Sequence, residues 1–277
     1  MKKDRKDGIY IKADEPLSAI MPYIFDKRTE SEVYIKEELD VTQLMKWLEK
    51  QNKKLDYKMT PFHAITSVFI KTVYNRPLLN RFVQGHRLYE RKDISVSFVA
   101  KNKKDDNSKD MMVIIKSNPE ENSLDLSKRM AIDIFETKKN ETNDLNKTIN
   151  KFLNLPRCIL KFVVKVFKWL DYHGWLPKSY TDTDSNYATI LFSNLGSIKS
   201  SSCYHHLNNY GTNSIIITIG IIRQEKERYV VDISATLDER IASGFYFAKS
   251  LKLVQYILDN PKLLEEELSS KVEIEED

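Results

Sequence analysis

The stretch Asp238-Glu239-Arg240-Ile241-Ala242-Ser243-Gly244-Phe245 joins the last predicted strand of the chain to the last predicted helix. The strand is expected over residues 229–237, where β-branched residues are dense after a charged hairpin tip. The helix is expected over residues 241–258 and ends before an Asn-Pro pair. The stretch therefore places acidic, basic and hydroxyl side chains in the connection between two regular elements.

A second informative stretch, Phe192-Ser193-Asn194-Leu195-Gly196, follows a predicted strand at residues 189–192. The two stretches resemble the active-site motifs of the 2-oxoacid dehydrogenase acyltransferase family, that is, the catalytic domain of dihydrolipoyl acyltransferases, and of chloramphenicol acetyltransferase. In that family the later motif reads His-x-x-x-Asp-Gly, and the earlier one is a Ser-Asn-Leu-Gly turn. The motifs occur here in the family's order, with Glu239 at the His position and Ser243 at the Asp position.

Three other segments extend the resemblance over roughly residues 16–264. They are residues 32–50, a strand and a helix start; residues 59–82, a helix ending in Pro-x-Leu-Asn; and residues 261–264, which close the last helix. The resemblance implies a chloramphenicol acetyltransferase-like fold, an α/β (α+β) two-layer sandwich with a mixed sheet packed by helices, and assembly as a homotrimer. We expect one catalytic domain over residues 1–264 and a flexible acidic tail over residues 265–277.

The resemblance also implies a chemistry, the transfer of an acyl group between coenzyme A and a thiol or hydroxyl acceptor in a tunnel between subunits. In the family the His deprotonates the acceptor, and the Ser hydroxyl stabilises the tetrahedral oxyanion. Glu239 and Ser193 take these two positions here. The supporting motif positions are Asn194, Gly196, Asp238, Arg240, Ser243 and Gly244. From the local sequence alone, Ser193 is equally well a strand-end residue before a tight turn.

Two substitutions separate this chain from the family motif. A carboxylate is a weaker base toward a thiol or an alcohol than an imidazole, so Glu239 acts as the base only if burial raises its affinity for protons. The alternative is that Glu239 pairs with a neighbouring Arg or Lys and holds the loop. A neutral Ser243 cannot form the ion pair of the family's Asp. The Asp-Glu-Arg sequence resembles a stand-alone bacterial branch of the family, in which Glu replaces the catalytic His.

His205 and His206 lie between the Ser193 motif and the next strand, and they are the best substitute bases in the chain. The alternative is that these adjacent histidines are surface or hydrogen-bonding residues. No other ligand lies at a helpful spacing, so no metal site is expected. Three further histidines lie in segments that we interpret as structural: His63, His86 and His173.

Residues 151–178 form an insertion before the Ser193 strand and contain a predicted amphipathic helix. Two sets of side chains fall on opposite sides of it: the basic set Arg157, Lys161, Lys165 and Lys168, and the apolar set Leu160, Val163, Val164, Phe167 and Leu170. One interpretation is a core-packing or intersubunit helix. The other is a helix at a membrane surface, over residues 157–175, or at an apolar acyl pocket, with Trp169 and Trp175 as anchors.

The remaining pattern predicts alternating strands and helices. Strands are expected at residues 33–39, 87–89, 94–99, 111–115 and 214–222, and helices at residues 42–50, 61–76 and 124–138. The strands at 87–89, 94–99 and 111–115 are expected to be neighbours in a meander. Residues 215–219 have no polar face, so this strand should be buried on both sides.

Composition limits the classes of function. The 277 residues carry a net charge of +4, but residues 265–277 hold seven acidic side chains against one lysine, so the rest of the chain is distinctly basic. A basic body attracts coenzyme A, whose nucleotide end is anionic. We expect coenzyme A or acyl-coenzyme A as co-substrate, no covalently bound cofactor and no nucleic-acid partner. Two distant cysteines, Cys158 and Cys203, and the lack of a signal peptide predict a cytoplasmic protein.

Two functional hypotheses follow. The first is a stand-alone coenzyme A-dependent acyltransferase with a small-molecule thiol or hydroxyl acceptor. No lipoyl segment precedes the predicted domain, so we expect that the acceptor is not a lipoyl group tethered to the same chain. The second is a catalytically inactive member of the family that serves as a trimeric binding or regulatory scaffold, with a membrane surface as a further partner.

Overall fold

A six-stranded mixed sheet forms the centre of the fold. The computed structural model describes residues 4–13, 15–101, 110–139 and 154–274. The strands in these residues are β1 (Gly8–Ile11), β2 (Glu32–Asp40), β3 (Arg81–Gln84), β4 (Arg87–Arg91), β5 (Ser95–Lys101), β6 (Asp110–Lys116), β7 (Ile190–Asn194), β8 (Ile215–Glu225) and β9 (Arg228–Asp238). The central sheet has the order β2-β9-β8-β7-β5-β6, and a smaller sheet has the order β1-β4-β3. Within the central sheet, β7 is parallel to both of its neighbours.

Helices cover one face of the central sheet. Those in the described residues are α1 (Pro16–Ile24), α2 (Thr42–Asn52), α3 (Pro61–Asn75), α4 (Ser123–Lys139), α5 (Arg157–Tyr172), α6 (Lys178–Thr181) and α7 (Gly244–Asp259). α3 begins where the Thr60 hydroxyl accepts from the backbone N–H of His63, with Pro61 at the first helical position. α2, α3, α4 and α7 share one apolar core with the sheet. The expected α/β (α+β) two-layer sandwich, a mixed sheet packed by helices, is confirmed.

The two faces of the central sheet differ in chemistry. On the helix-covered face, Ile215, Ile217 and Ile219 of β8 are buried in the core. On the opposite face, Thr218 of β8 and Ser234 of β9 are also buried. β8 is therefore enclosed on both sides over this length, which confirms the prediction from its missing polar face. The second face differs from the first in carrying small hydroxyl side chains at these positions.

The expected meander of three strands is wrong. β5 and β6 are antiparallel neighbours as predicted, but β4 lies between β1 and β3 in the smaller sheet. The second neighbour of β5 is β7, from much later in the chain. The sequence of a short strand shows its alternation but not its partner, because packing between distant segments selects the partner.

The segment after residue 264 is packed in its first part. Leu268 is fully buried. The ammonium of Lys71 in α3 donates hydrogen bonds to the Glu267 carbonyl at 2.7 Å and to the Ser270 hydroxyl at 2.6 Å. Residues 265–270 are thus held by the fold, which corrects the expectation of a flexible tail there, while residues 275–277 lie outside the described residues.

Candidate functional site

A buried ion pair closes the loop that follows β9. The guanidinium of Arg240 donates from Nε to Asp238 Oδ1 at 2.8 Å and from Nη2 to Oδ2 at 2.7 Å. Asp238 also accepts from Ser31 Oγ at 2.9 Å, and Arg240 Nη1 donates to the Phe25 carbonyl at 2.8 Å. The pair therefore fixes the loop to the segment that precedes β2.

Glu239 lies between the two members of this pair but takes no part in it. Its backbone N–H donates to the Ser31 carbonyl at 2.8 Å, and its side chain is exposed. Arg240 faces Asp238, and among the described residues no hydrogen bond or ion pair engages the Glu239 carboxylate. The interpretation of Glu239 as the ion-pair partner of a neighbouring cation therefore finds no contact to support it in the described part of the chain.

Ser243 and Gly244 form the start of α7. The Ser243 hydroxyl accepts from the backbone N–H of Tyr246 at 3.3 Å, so Ser243 is the N-cap of the helix. A Cβ added to Gly244 would meet no atom within 4 Å. The helix cap therefore accounts for the hydroxyl at position 243. No contact within one chain requires glycine at position 244.

Removing the cap should weaken the fold measurably. We expect Ser243→Ala to lower the free energy of unfolding by about 1 kcal/mol, because a helix N–H loses its acceptor. Ser243→Asp should preserve stability, since Asp caps equally well and its charge is favourable at a helix N-terminus. Urea-induced unfolding measures both, and equal stability of Ser243→Ala and the unchanged protein would contradict the assignment.

The Ser193 turn lies at the end of β7. Ser193 is half-buried, and its hydroxyl has no hydrogen-bond partner in the described residues. Asn194 Oδ1 accepts from the backbone N–H of Ser197 at 3.2 Å and caps the turn. A Cβ on Gly196 would lie 2.4 Å from the Gly220 carbonyl oxygen, so this close approach of the turn to β8 requires glycine.

Ser193 and Glu239 lie far apart within one chain. The sheet register pairs Ser193 with Thr218 and Thr218 with Ser234, so Ser234 lies two strands from Ser193. Glu239 lies beyond the end of β9, about 17 Å further along that strand at about 3.4 Å per residue, and the two strand spacings add about 10 Å sideways. The fold therefore does not bring the two predicted catalytic residues together in one protomer.

His205 and His206 lie on an exposed loop. His205 Nδ1 contacts the His206 carbonyl at 2.9 Å, and His206 Nδ1 contacts the Leu207 carbonyl at 3.1 Å. The backbone N–H of Leu207 donates to the carboxylate of Glu32, the first residue of β2. The two rings therefore lie beside the edge strand, at the end of the sheet where Glu239 is found.

The other three histidines have structural contacts. Burial lowers the pKa of His63 to about 4, so this ring is neutral at the start of α3. His86 Nδ1 contacts the Pro22 carbonyl at 2.8 Å, and the His173 ring stacks on Trp175. Cys158 and Cys203 are exposed and unpaired. The described residues contain no group of three or more His, Cys, Asp or Glu that suits a metal ion.

A cavity of about 320 Å³, which no sequence motif predicted, lies beside the buried ion pair. The buried guanidinium of Arg28 lines it and donates from Nη2 to the Val83 carbonyl at 2.8 Å and to Gln84 Oε1 at 3.0 Å. Arg28 Nε has no partner in the described residues. Burial lowers the pKa of Arg28 to about 10, which leaves the group charged at neutral pH. Side chains of both signs also line this cavity: Lys27, Lys168, Asp26 and Asp171.

A second buried charge network holds the C-terminal end of α5. Asp171 accepts from Arg5 Nη2 at 2.9 Å and from Gln84 Nε2 at 2.8 Å, and burial raises the pKa of its carboxyl. The predicted packing positions of α5 are half-buried: Leu160, Val163, Phe167 and Leu170. Val164 is not among them, because it is 46% exposed. None of the described helices is long and apolar enough to span a bilayer.

No family model matches the chain, and no curated protein matches it. Solved structures do. The chain is similar to a probable dihydrolipoamide acetyltransferase from Listeria monocytogenes, at 15% identity and a TM-score of 0.54 over 90% of this chain and 95% of that one. It is similar to a truncated catalytic core of the 2-oxoacid dehydrogenase multienzyme complex from Thermoplasma acidophilum, at 16% identity and a TM-score of 0.57 over 91% and 99%. A chloramphenicol acetyltransferase matches at 14% identity and a TM-score of 0.56 over 91% and 99%.

These likenesses extend over nearly the whole chain, at identities that establish the fold and leave the reaction open. They agree with the resemblance carried by residues 192–196 and 238–245. The chain has the fold that the catalytic cores of the 2-oxoacid dehydrogenase acyltransferases share with chloramphenicol acetyltransferase.

Proposed function

We propose that the protein is a stand-alone coenzyme A-dependent acyltransferase whose sites are assembled between copies of the chain in a homotrimer. The observation that carries the proposal is the separation of Ser193 and Glu239 within one protomer. Both side chains lack a partner among the described residues. Ser193 and Glu239 lie at different ends of one sheet. This arrangement is expected if a complete site combines Ser193 of one copy of the chain with Glu239 of another.

In the proposed reaction, Glu239 of one copy accepts the proton of the acceptor thiol or hydroxyl. The acceptor sulfur or oxygen attacks the thioester carbonyl of acyl-coenzyme A, and the Ser193 hydroxyl of a neighbouring copy donates a hydrogen bond to the oxyanion. Collapse of the intermediate breaks the carbon–sulfur bond, and the leaving coenzyme A thiolate takes the proton from Glu239. His205 and His206 are the alternative bases, because they lie at the same end of the sheet as Glu239.

The surface of α1 favours assembly. Its sequence contains no charged side chain. Four large apolar side chains on it are each at least 47% exposed: Leu17, Ile20, Tyr23 and Ile24. Because exposed apolar patches mark contact surfaces, we propose that a neighbouring copy covers α1.

The second candidate is a catalytically inactive trimeric scaffold. Asp238 and Arg240 form an ion pair with each other, and the Ser243 hydroxyl caps a helix. Among the described residues no charged side chain therefore orients Glu239. A base without an orienting partner is expected when a fold has been retained for binding and the reaction has been lost.

We also propose that the protein is cytoplasmic and that it has one catalytic domain. Two exposed, unpaired cysteines and a coenzyme A-dependent reaction suit the reducing cytoplasm. Residues 1–264 would act as one catalytic domain.

Calorimetric titration with coenzyme A and acetyl-coenzyme A, combined with the molar mass from light scattering, tests the proposal. We expect saturable binding by a trimer. Adenosine diphosphate is the control, because binding it equally well would show that only the nucleotide end is recognised. No binding at millimolar ligand would favour the scaffold, and a monomer would contradict a site between copies.

A further inference from the structure

A stripe of large apolar side chains is exposed along α5. Phe162 is 66% exposed and Trp169 is 51% exposed. Two more members of the stripe, Ile159 and Val166, complete a spacing of three, four and three residues along one side of the helix. This stripe is separate from the half-buried one that faces the protein. α5 therefore presents an apolar side to its surroundings, which is unfavourable in water.

A basic stripe runs beside the apolar one. Its members are all exposed: Arg157, Lys161, Lys165 and Lys168. The one acidic residue of the helix, Asp171, is buried and bound to Arg5. The charges that α5 exposes are therefore all positive.

Aromatic rings extend the apolar stripe at the C-terminal end of the helix. The Trp169 and Trp175 rings lie 5.1 Å apart in an edge-to-face arrangement, and Trp175 is 56% exposed. Two of the three tryptophans of the chain are thus on this surface, while Trp47 is buried. Tryptophan is enriched at the boundary between lipid and water, because its ring is apolar and its N–H is polar.

We propose that α5 docks the protein on an anionic lipid bilayer, with the helix parallel to the surface, its apolar stripe among the acyl chains and its basic stripe at the headgroups. Charge selects this occupant. A two-fold contact between two α5 helices would bring two basic stripes together with no exposed acid on either helix to balance them, and a contact of α5 with a different surface of a neighbouring copy is tested below by the molar mass of the α5 variants. The proposal is independent of the proposed reaction.

Co-sedimentation with vesicles tests the docking surface. We expect the protein to bind vesicles that contain phosphatidylglycerol and to remain in the supernatant with pure phosphatidylcholine, and we expect added salt to weaken binding. Phe162→Ser combined with Trp169→Ser, and separately Lys161→Glu combined with Lys165→Glu, should each weaken binding about tenfold or more. These side chains are exposed, so the variants should fold.

Two matched controls distinguish binding through α5 from non-specific binding to vesicles. Phe135→Ser removes an apolar side chain on α4 that is 69% exposed, and Lys46→Glu with Lys50→Glu reverses two exposed charges at the same spacing on α2. Both controls should leave vesicle binding unchanged. Tryptophan emission should shift to shorter wavelength on binding, with Trp47 as a constant background.

Three results would overturn the proposal. The first is a lack of binding to anionic vesicles. The second is an equal loss of binding in the controls and the α5 variants. The third is that the α5 variants bind vesicles as the unchanged protein does but differ from it in molar mass. That result would show that a second copy of the chain covers the stripe.

Discussion

Replacing Asp238 by Ala is expected to lower the free energy of unfolding by about 3–5 kcal/mol, because a buried Arg240 would lose its counter-charge. The side chains of the pair are only 2% and 0% exposed, so water cannot replace the carboxylate. The Ser31 hydroxyl would also lose one of its two acceptors and keep the Arg28 carbonyl. Urea-induced unfolding, followed by circular dichroism, measures the change.

Asp232→Ala is the matched control on the same strand. Asp232 also pairs with an arginine, Arg223 at 2.6 Å, but the two side chains are 17% and 33% exposed, so the expected loss is about 0–1 kcal/mol. Asp238→Leu combined with Arg240→Met should recover much of the stability, since neither charge of the pair is then left buried without its partner. A loss for Asp238→Ala no greater than that for Asp232→Ala would show that the pair does not hold the loop.

The second large effect concerns turnover. Ser193→Ala is expected to lower kcat of acyl transfer by about 100- to 1,000-fold, because the oxyanion loses a hydrogen-bond donor. Glu239→Gln should abolish proton transfer, since the amide is not a base. Neither side chain has a partner among the described residues, so both variants should unfold at the urea concentration of the unchanged protein. Chromatographic detection of released coenzyme A, with dihydrolipoamide as a first acceptor, provides the assay.

Mixing the two variants tests the site between copies. When Ser193→Ala and Glu239→Gln chains are co-expressed in equal amounts, about a quarter of the sites should combine an intact Ser193 with an intact Glu239 from different copies. Recovery of about that share of activity is expected. No recovery would mean that a site between copies is not formed. Full activity of Glu239→Gln, with loss in His205→Ala or His206→Ala, would assign the base to the histidine loop.

The elements that the sequence predicted well are those with local signals. The helix after Thr60 has a cap and a proline at its start, and the strand at residues 215–219 is uniformly apolar. Such signals act over a few residues, so they can be recognised without knowing the fold. The membership of β4 in a separate sheet has no local signal, because it depends on β1, about eighty residues earlier in the chain.

The candidate site was predictable as a set of residues but not as a geometry. The motifs identified Ser193 and Glu239, yet sequence spacing does not show that they lie at different ends of one sheet. Arg28 belongs to no motif, and its position beside a cavity follows from its hydrogen bonds to β3 and to the Asn208 carbonyl. Leu268 is one of three apolar residues in the acidic segment 265–277, and composition averaged over that segment hides its burial.

The contact between Arg5 and Asp171 has a consequence for the order in which the chain folds. The two residues are 166 positions apart. The free-energy cost of closing a loop rises by only about 0.6 kcal/mol for each doubling of the loop length. The separation therefore affects the rate of folding more than the stability. Arg5 and Asp171 come together only after a search over this long separation, whereas β8 and β9 are consecutive strands joined by a short hairpin. When the complete chain refolds from denaturant, we therefore expect β1 and α5 to gain protection from hydrogen exchange together, and later than β8 and β9.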